Sequence, residues 1–316
     1  MCRSDQPISD ALKRKISLLC DVPIEAVISA VDARSIYEIP LVLREQGLDG
    51  FVCRTLGIPG ADQDVDLSEW ESLVHRVESL RHAGFHFGAR ITLDWIDAEQ
   101  VTDLLETGRI RELDGIVIPG GFGERGVEGM IAAAGHARQH AIPCLGLCLG
   151  LQVMVIDVAR NLAGLEGANS REFDSLTPHP VIDLMEEQVN VTDKGGTMRL
   201  GAYVAKLLPG SKVAGAYATD SVTERHRHRY EVNSRYRARL EAAGLVCSGI
   251  SPDNRLVEFV ELAGHPYWLG TQAHPEFKSR PDRPHPLFRE LVAAALDRAE
   301  GREPRLIGLT DLDPVH

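Results

Sequence analysis

The stretch that decides the fold runs from residue 115 to residue 164 and is GIVIPGGFGERGVEGMIAAAGHARQHAIPCLGLCLGLQVMVIDVARNLAG. It contains two short apolar segments, 115–121 and 141–147. Each is followed by a segment with apolar residues at helical spacing, 130–140 and 151–164. Apolar strands that alternate with amphipathic helices are typical of a parallel sheet covered by helices on both faces. The stretch therefore predicts an α/β fold.

The flanking sequence extends this alternation. Residues 89–97 predict a further strand, and residues 101–113 predict a further helix. From about residue 180 the pattern is richer in β-structure, which indicates a mixed sheet in that half, and residues 285–301 predict a closing helix. The apolar segments of this half are 196–207, 211–218, 255–262 and 267–274. The predicted fold class is α/β, with a mostly parallel sheet and helices on both faces.

The first quarter of the chain predicts a separate, partial α/β segment. Residues 8–20 form a predicted helix with one apolar face, and a short strand and a second helix that ends near Gly47 follow. Residues 57–67 (GIPGADQDVDL) are the best candidate linker, because they are rich in turn residues, and residues 69–84 predict another helix. We therefore expect a domain limit near residue 75. The expected divisions are 1–75, 76–301 and a tail over 302–316.

Length, composition and charge limit the classes of function. The 316 residues allow about two domains, and 44% hydrophobic with 25% charged residues is typical of a globular protein. The net charge of −12 argues against a protein that binds nucleic acid or a membrane surface. The polar N-terminus and the lack of an apolar run of about 18 residues predict a soluble, cytoplasmic protein. The six cysteines form no C-x-x-C pair, so we expect free thiols.

Cys148 lies in a G-x-C-x-G sequence between the predicted strand 141–147 and the predicted helix 151–164. This is the cysteine form of the nucleophile elbow, in which flanking glycines allow a strained strand-to-helix turn that exposes the side chain. The positive end of the following helix favours the thiolate. The alternative is a small buried cysteine in a tight turn, which we expect for Cys144 rather than for Cys148.

His274 is the best candidate, among 12 histidines, for the general acid and base that a thiolate nucleophile needs. It ends an apolar segment, and Glu276 follows two residues later. In an extended chain, residues i and i+2 point to the same side, so the Glu276 carboxylate is expected beside the imidazole as the third member of a triad. The alternative is a His-Pro-Glu turn at the protein surface.

A glycine-rich turn follows the predicted strand 115–121 and has the spacing Gly121-x-Gly123-x-x-Gly126. This spacing matches a dinucleotide-binding fingerprint, but the acidic residue expected about 20 positions later is missing from PCLGLCLG. We therefore reject dinucleotide binding. The N–H groups of Gly121 and Leu149 are instead expected to stabilise an oxyanion.

Residues 225–231 (RHRHRYE) form the one basic cluster in the sequence. As a strand, they would place three arginines on one face and His226 and His228 on the other. Two histidines without a third ligand do not complete a metal site, so no metal is expected. Two interpretations stay open: a solvated charged strand, or a strand in which one arginine binds a carboxylate or another anion.

Several longer motifs occur together in one order: PGGFGERGVEGM, GLCLGLQ, ANSREFD, GGTMRLGAY, ERHRHRYEVN and GTQAHPEF. In order and spacing, they resemble the class I glutamine amidotransferase domain of the CTP synthase family. Residues 2–40 are similar to the last part of the synthetase domain of the same family. The resemblance covers about residues 2–300 and implies a flavodoxin-like amidotransferase fold preceded by a remnant of the synthetase domain.

The resemblance implies that the chain hydrolyses L-glutamine to glutamate and ammonia. Cys148 would form a γ-glutamyl thioester, His274 would transfer the proton, and Glu276 would orient His274. The residues that would bind glutamine or its oxyanion are Gly121, Leu149, Gly150, Leu151, Gln152, Glu172 and Arg229. Glu172 suits the ammonium group of an amino acid, and Arg229 suits its carboxylate.

In the family, the ammonia passes to a separate site where ATP and Mg²⁺ drive the amination of UTP to CTP, and GTP activates the glutamine reaction. This chain has no G-x-x-x-x-G-K-[ST] phosphate-binding motif, and it lacks most of the family's synthetase domain. The family's first amidotransferase strand and its G-K-Y motif are also missing, because residues 75–88 (HRVESLRHAGFHFG) continue without a break.

The resemblance implies that glutamine hydrolysis by itself needs no cofactor. The expected partner is a synthetase domain or another copy of the chain.

Two alternatives to glutamine hydrolysis stay open. The chain could be a truncated, catalytically silent subunit that binds or regulates a partner. It could also be another cysteine hydrolase on the same fold. Glu172 and Arg229 favour an amino-acid substrate over the second alternative.

Overall fold

The structure is a computed structural model that describes residues 2–4, 6–31, 36–59, 65–184 and 198–303. Its contacts divide the chain into two compact units, Met1–Glu78 and Ser79–His316. No helix within the described ranges is long and apolar enough to cross a membrane. Parts of three predicted features lie outside the described residues, namely 60–64 of the linker, 195–197 of the GGTMRLGAY motif and 304–316 of the tail.

The described part of the first unit contains a two-stranded parallel sheet and short helices. Its elements are β1 (Cys2–Ser4), α1 (Asp10–Cys20), β2 (Ser29–Val31), α2 (Ile39–Glu45), α3 (Leu48–Leu56) and the first half of α4 (Ser68–His86). The predicted second helix corresponds to α2, which ends just before Gly47 as expected. The further helix α3 follows Gly47, whose φ of +74° is one that glycine adopts without strain. The limit between the units and the predicted limit near residue 75 both lie within α4.

The second unit contains the longer α/β pattern. Its strands are β3 (Ile116–Ile118), β4 (Cys144–Leu147), β5 (Ala168–Ser170), β6 (His179–Leu184), β7 (Arg199–Leu207), β8 (Ser221–His228), β9 (Tyr230–Val232), β10 (Leu245–Ile250), β11 (Val257–Leu262) and β12 (Trp268–Thr271). Its further helices are α5 (Val101–Glu106), α6 (Val127–Gln139), α7 (Leu149–Asn161), α8 (Lys212–Tyr217), α9 (Arg237–Ala242) and α10 (Pro286–Ala299).

Seven of these strands form one mixed sheet in the order β3-β4-β12-β11-β10-β7-β8. Strands β3, β4 and β12 are parallel, whereas the pairings from β12 to β8 are antiparallel. A smaller sheet has the order β5-β6-β9. The predicted α/β class is confirmed, and the parallel part of the main sheet is limited to three strands. Because ligands bind beyond the carboxyl ends of such strands, the ends of β3, β4 and β12 are where a site is expected.

Strand β4 lies in the middle of the core, and all four of its residues are buried. On one face, Met154 of α7 belongs to the same apolar cluster as Cys144. On the other face, Ala83 of α4 and Phe288 of α10 belong to the cluster that contains Leu145. Helices therefore cover both faces, which explains why the β4 sequence is apolar throughout.

Residues 91–97 form no strand, so the predicted strand over 89–97 is wrong. Alternating apolar residues indicate an extended chain, but a strand also needs a neighbour with which it forms hydrogen bonds. Among the strands that the structure describes, β3 pairs with β4 alone. Ile91 is instead half-buried in the same apolar cluster as Val117 of β3, so side-chain packing takes the place of strand pairing.

Residues 212–217 form helix α8, so the apolar segment 211–218 does not contribute to the β-structure expected in this half of the chain. The Ser211 hydroxyl caps the helix. The buried carboxylate of Glu261 on β11 accepts hydrogen bonds from the first two N–H groups of the helix, where negative charge is favourable. Because Glu261 is distant in sequence, the local pattern did not reveal this contact.

Candidate active site

Cys148 lies at the turn between β4 and α7, where the glycine spacing places it. Its backbone has φ +53° and ψ −103°, a region that residues with a side chain rarely adopt. A side chain on Gly150 would overlap the carbonyl O of Ile118, and one on Gly146 would overlap the side chain of Met154. The two glycines therefore allow α7 to begin close to β3 and β4, and the strained turn has the geometry of a nucleophile elbow.

His274 lies just beyond the end of β12, and its Nδ1 is 3.0 Å from Oε1 of Glu276. Both side chains are buried. The structure thus brings the two residues together, but not through the expected extended chain. Residues 275–278 form a 3-10 turn, and this turn brings Glu276 back to the imidazole.

Gly120 separates His274 from Cys148. A Cβ atom on Gly120 would lie 3.2 Å from Cε1 of His274 and 3.3 Å from Cβ of Cys148. Both distances are shorter than ordinary carbon–carbon contacts. The end of β3 therefore leaves just enough room for the two side chains to approach each other, a role of this glycine that the sequence analysis missed.

The neighbours of His274 determine its protonation. Burial alone would lower the pKa of His274, but hydrogen bonding and charge interaction with Cys148 and Glu276 outweigh it and raise that pKa to about 10. At neutral pH the ring is therefore an imidazolium. Because Nδ1 of His274 is hydrogen-bonded to Glu276, Nε2 is the nitrogen that can exchange a proton with Cys148 or with a ligand.

Gln272 is a second residue that the sequence analysis missed. It is fully buried, its amide nitrogen is 3.7 Å from Sγ of Cys148, and its Oε1 accepts a hydrogen bond from Gln152 at 3.3 Å. Gln152 also donates to the carbonyl O of Tyr230 at 3.0 Å. Gln272 precedes His274 by two residues within the TQAHPEF motif, so its place at the end of the same strand was a signal available in the sequence.

A cavity of about 230 Å³ lies in front of Cys148. Its lining contains six of the predicted residues and five that were not predicted: Gly121, Cys148, Leu149, Gln152, Glu172 and Arg229, and then Phe122, Met198, Arg227, His228 and Tyr230. The structure does not bring the predicted ligand residues Gly150 and Leu151 to this cavity. Gly150 packs against Ile118 of β3, and the fully buried Leu151 packs against Gly270 of β12, because this side of α7 faces the sheet.

Glu172 and Arg229 place one carboxylate and one guanidinium at the cavity. Oε1 of Glu172 accepts a hydrogen bond from the N–H of Gly123 at 3.3 Å. Burial raises the pKa of Glu172, against the opposing effects of this hydrogen bond and of the Arg229 charge. Arg229 lies between the last residue of β8 and the first residue of β9. Such a pair suits a ligand that carries both an ammonium and a carboxylate group.

Strand β8 alternates as predicted, with Arg225 exposed, Arg227 half-buried, and His226 and His228 buried. The interpretation as a solvated charged strand is therefore wrong for its histidine face. Nδ1 of His226 lies 3.0 Å from Nε2 of His228, so the two rings are hydrogen-bonded to each other. Arg227 and His228 also line the cavity. The sequence analysis identified the basic cluster but assigned only Arg229 of that cluster to the site.

We expect Glu276→Gln to lower the pKa of His274, because it removes a negative charge that stabilises the imidazolium. An NMR titration of the His274 ring protons measures this pKa. Because the pKa of His274 is higher in the folded chain than in the unfolded chain, its protonation stabilises the fold. This contribution to the free energy of unfolding is complete below about pH 6.5 and is lost as the pH rises through about 10. Glu300→Gln, at an exposed carboxylate, is the control. An unchanged His274 pKa in Glu276→Gln would contradict the assignment of Glu276.

Comparison with known proteins places this geometry in a family. Residues 74–294 match the family described as glutamine amidotransferase class-I, and residues 1–58 match the CTP synthase N-terminus. The CTP synthase of Roseiflexus castenholzii is 51% identical over 322 residues, which cover 93% of this chain and 58% of that protein. The CTP synthase of Rubrobacter xylanophilus is 51% identical over 327 residues, covering 95% and 59%. The chain thus spans less than two thirds of the length of these relatives.

A solved structure has the same fold as the second unit. It is the glutaminase domain of Trypanosoma brucei CTPS with bound acivicin, which is 36% identical and superposes with a TM-score of 0.68. The match covers 72% of this chain and 89% of that one. The chain belongs to the class I glutamine amidotransferase family, and its relatives are CTP synthases.

Proposed function

We propose that the chain hydrolyses the side-chain amide of L-glutamine to glutamate and ammonia, as the glutaminase part of a CTP synthase. The observation that carries the proposal is the strained Cys148 turn beside the His274–Glu276 pair, at a cavity lined by Glu172 and Arg229. A cysteine nucleophile, a histidine base and a cavity with both charges are what amide cleavage of a free amino acid requires. Membership of the glutamine amidotransferase family supports glutamine as that amino acid.

In the first step, the Cys148 thiolate attacks the side-chain amide carbon of glutamine. A C–S bond forms, and the amide oxygen becomes an oxyanion. The N–H groups of Gly121 and Leu149 are proposed to stabilise this oxyanion, since both residues line the cavity and the first N–H groups of α7 have no partner within the helix. His274 then gives its Nε2 proton to the departing nitrogen, the C–N bond breaks, ammonia leaves, and a γ-glutamyl thioester remains.

In the second step, water gives a proton to Nε2 of His274, and its oxygen attacks the thioester carbon. The C–S bond breaks, glutamate leaves, and the thiolate and imidazolium are restored. Glu276 holds Nδ1–H throughout, which keeps the ring oriented and stabilises its charged form. The raised pKa of His274 is consistent with this pair as the resting state.

The remaining cavity residues are proposed to orient the substrate. Glu172 would bind the α-ammonium group and Arg229 the α-carboxylate, which leaves the side-chain amide to reach Cys148. Gln152 is held by Gln272 and by the carbonyl O of Tyr230, so its position at the cavity is fixed before a ligand arrives. Pre-organised polar groups of this kind lower the ordering cost of binding.

We further propose that the ammonia serves the amination of UTP to CTP. Support comes from the CTP synthase relatives and from the match of residues 1–58 to the CTP synthase N-terminus. That reaction would need ATP and Mg²⁺, with GTP as activator, at a synthetase part supplied by a longer form of the protein or by a separate chain. We assign no residue of this chain to ATP, Mg²⁺ or GTP. A cytoplasmic location stays a prediction from the sequence.

Cys148→Ala is expected to reduce ammonia release from glutamine by at least about 10³-fold, because the thioester cannot form without the sulfur. A coupled assay for ammonia measures the rate, and thermal melting checks that the variant is folded. Cys20→Ala is the matched control, since Cys20 is exposed and lies in the first unit. Equal release by Cys148→Ala would contradict the proposed nucleophile, and no release by the folded, unmodified chain would favour a silent subunit.

Arg229→Gln is expected to raise KM for glutamine by about 10- to 100-fold, because a hydrogen bond to a charged group is worth about 1.5–3 kcal/mol. Steady-state kinetics of glutamine hydrolysis measure KM and kcat separately. Arg225→Gln is the control, because Arg225 is an exposed arginine of β8 that does not line the cavity. A KM that stays at the unmodified value in Arg229→Gln would exclude the carboxylate contact.

A further inference from the structure

Strand β8 contacts both members of the proposed nucleophile–base pair through its backbone. The carbonyl O of Arg225 accepts a hydrogen bond from the backbone N–H of His274 at 2.7 Å. The carbonyl O of Arg227 lies 3.8 Å from Sγ of Cys148. β8 is the last strand of the main sheet, where it pairs with β7, and alternate side chains of β8 are buried.

Four side chains of β8 are buried, Val222, Glu224, His226 and His228, and the two histidines are 1% and 2% exposed. Burial and the nearby positive charge of Arg199 lower the pKa of His226 to about 3. Burial, His226 and Arg199 lower the pKa of His228 well below its ordinary value. Both rings are therefore neutral at neutral pH, and each carries one proton, on either Nδ1 or Nε2.

The hydrogen-bond partners determine which nitrogen carries the proton. The carbonyl O of Tyr230 can only accept, so Nδ1 of His228, 3.2 Å away, must donate. Nε2 of the neutral His228 ring is then an acceptor, and Nδ1 of His226, 3.0 Å away, must donate to it. Nε2 of His226 consequently carries no proton, and it makes no hydrogen bond to Oε2 of Glu258, which lies 3.7 Å away.

A buried arginine anchors the Glu258 end of this chain of contacts. Arg199 on β7 donates to Glu258 on β11 at 2.6 and 3.2 Å and to Glu231 on β9 at 3.2 Å. Burial raises the pKa of Glu231 to about 8 despite Arg199. Burial also raises the pKa of Glu258, against the opposing effect of its hydrogen bonds to Arg199. Arg199 therefore joins β7 to β9 and β11 through Glu231 and Glu258, and the hydrogen bond from His228 to Tyr230 joins β8 to β9.

Three further groups contact the cluster or act on it electrostatically, and one of them, the buried Glu224 of β8, acts to raise the pKa of His226. Tyr203 of β7 meets the ring of His226 edge to face at 5.6 Å, and the guanidinium of Arg199 stacks over Tyr203 at 4.3 Å. The charge of His274 also acts on both buried histidines. None of these contacts requires the opposite tautomer of His226 or His228.

We propose that His226 and His228 are positioning residues, each held in the Nδ1–H tautomer, whose hydrogen-bond chain from His226 through His228 to the carbonyl O of Tyr230 fixes β8 beside Cys148 and His274. The expected effect on the reaction rate rests on the proposed glutamine hydrolysis, whereas the assignment of the two tautomers does not depend on that proposal. Neither histidine takes or gives a proton in the reaction. They act through the carbonyl groups of β8, and a small displacement of that strand would misalign the thiolate and the imidazolium.

The tautomers are tested directly by NMR. Long-range ¹⁵N–¹H correlation spectra of histidine-labelled chain distinguish the two neutral tautomers and the imidazolium by their nitrogen shifts. Single substitutions assign the signals. We expect His226 and His228 both as neutral Nδ1–H rings at pH 7. An Nε2–H tautomer or an imidazolium at either position would overturn the inference.

A matched pair of substitutions tests the positioning role. His226→Asn keeps an amide donor near the place of Nδ1, so it can still donate to His228, whereas His226→Gln moves its amide to the place of Nε2 and loses that donor. We expect kcat of His226→Asn to stay close to the unmodified value and kcat of His226→Gln to fall about 10- to 100-fold with little change in KM. His179→Gln, at a half-buried histidine of β6, is the control.

The outcomes separate this inference from the proposed function. Equal kcat in His226→Asn and His226→Gln, both folded by thermal melting, would overturn the positioning role while leaving glutamine hydrolysis intact. If the unmodified chain released no ammonia, the proposed function would fail, and the tautomer spectra would still decide the hydrogen-bond chain.

Discussion

The turn at Cys148 is the constraint on which the rest of the site depends. Its positive φ is held because α7 begins almost in contact with β3 and β4, a closeness that Gly146 and Gly150 allow. The backbone N–H of Cys148 donates to the carbonyl O of Thr271 at 2.7 Å, which ties β4 to the end of β12. His274 follows three residues later, so the same contact that holds the nucleophile also determines where the base can lie.

Two buried cations near this turn lie beside carboxylates. His274 is hydrogen-bonded to Glu276, and Arg199 is hydrogen-bonded to Glu258. A buried charge without a partner costs several kcal/mol, whereas a pair with good hydrogen bonds recovers part of that cost. These pairs help to explain how polar side chains from β7, β11 and the end of β12 can be buried. In the proposed complex, the α-ammonium group of glutamine would pair with Glu172 and its α-carboxylate with Arg229.

Features encoded by local spacing were predictable from the sequence, and features that depend on distant neighbours were not. The G-x-C-x-G spacing around Cys148 places the turn correctly, because the two glycines that the turn requires are encoded within five consecutive residues. The His274–Glu276 contact is present, although a 3-10 turn rather than an extended chain produces it. Residues 91–97 have strand-like alternation but no described neighbour to pair with. The contacts of Gln272 and Glu261 join segments far apart in sequence, so no local pattern revealed them.

The central claim is that Cys148 carries the glutamyl group during turnover. The most direct measurement is an acid quench of the chain during glutamine hydrolysis, followed by proteolysis and mass spectrometry of the cysteine peptides. The account predicts a γ-glutamyl adduct on the peptide that contains Cys148, and none on the peptides of the other cysteines. Ammonia release without any adduct at Cys148, under conditions that trap thioesters, would contradict it.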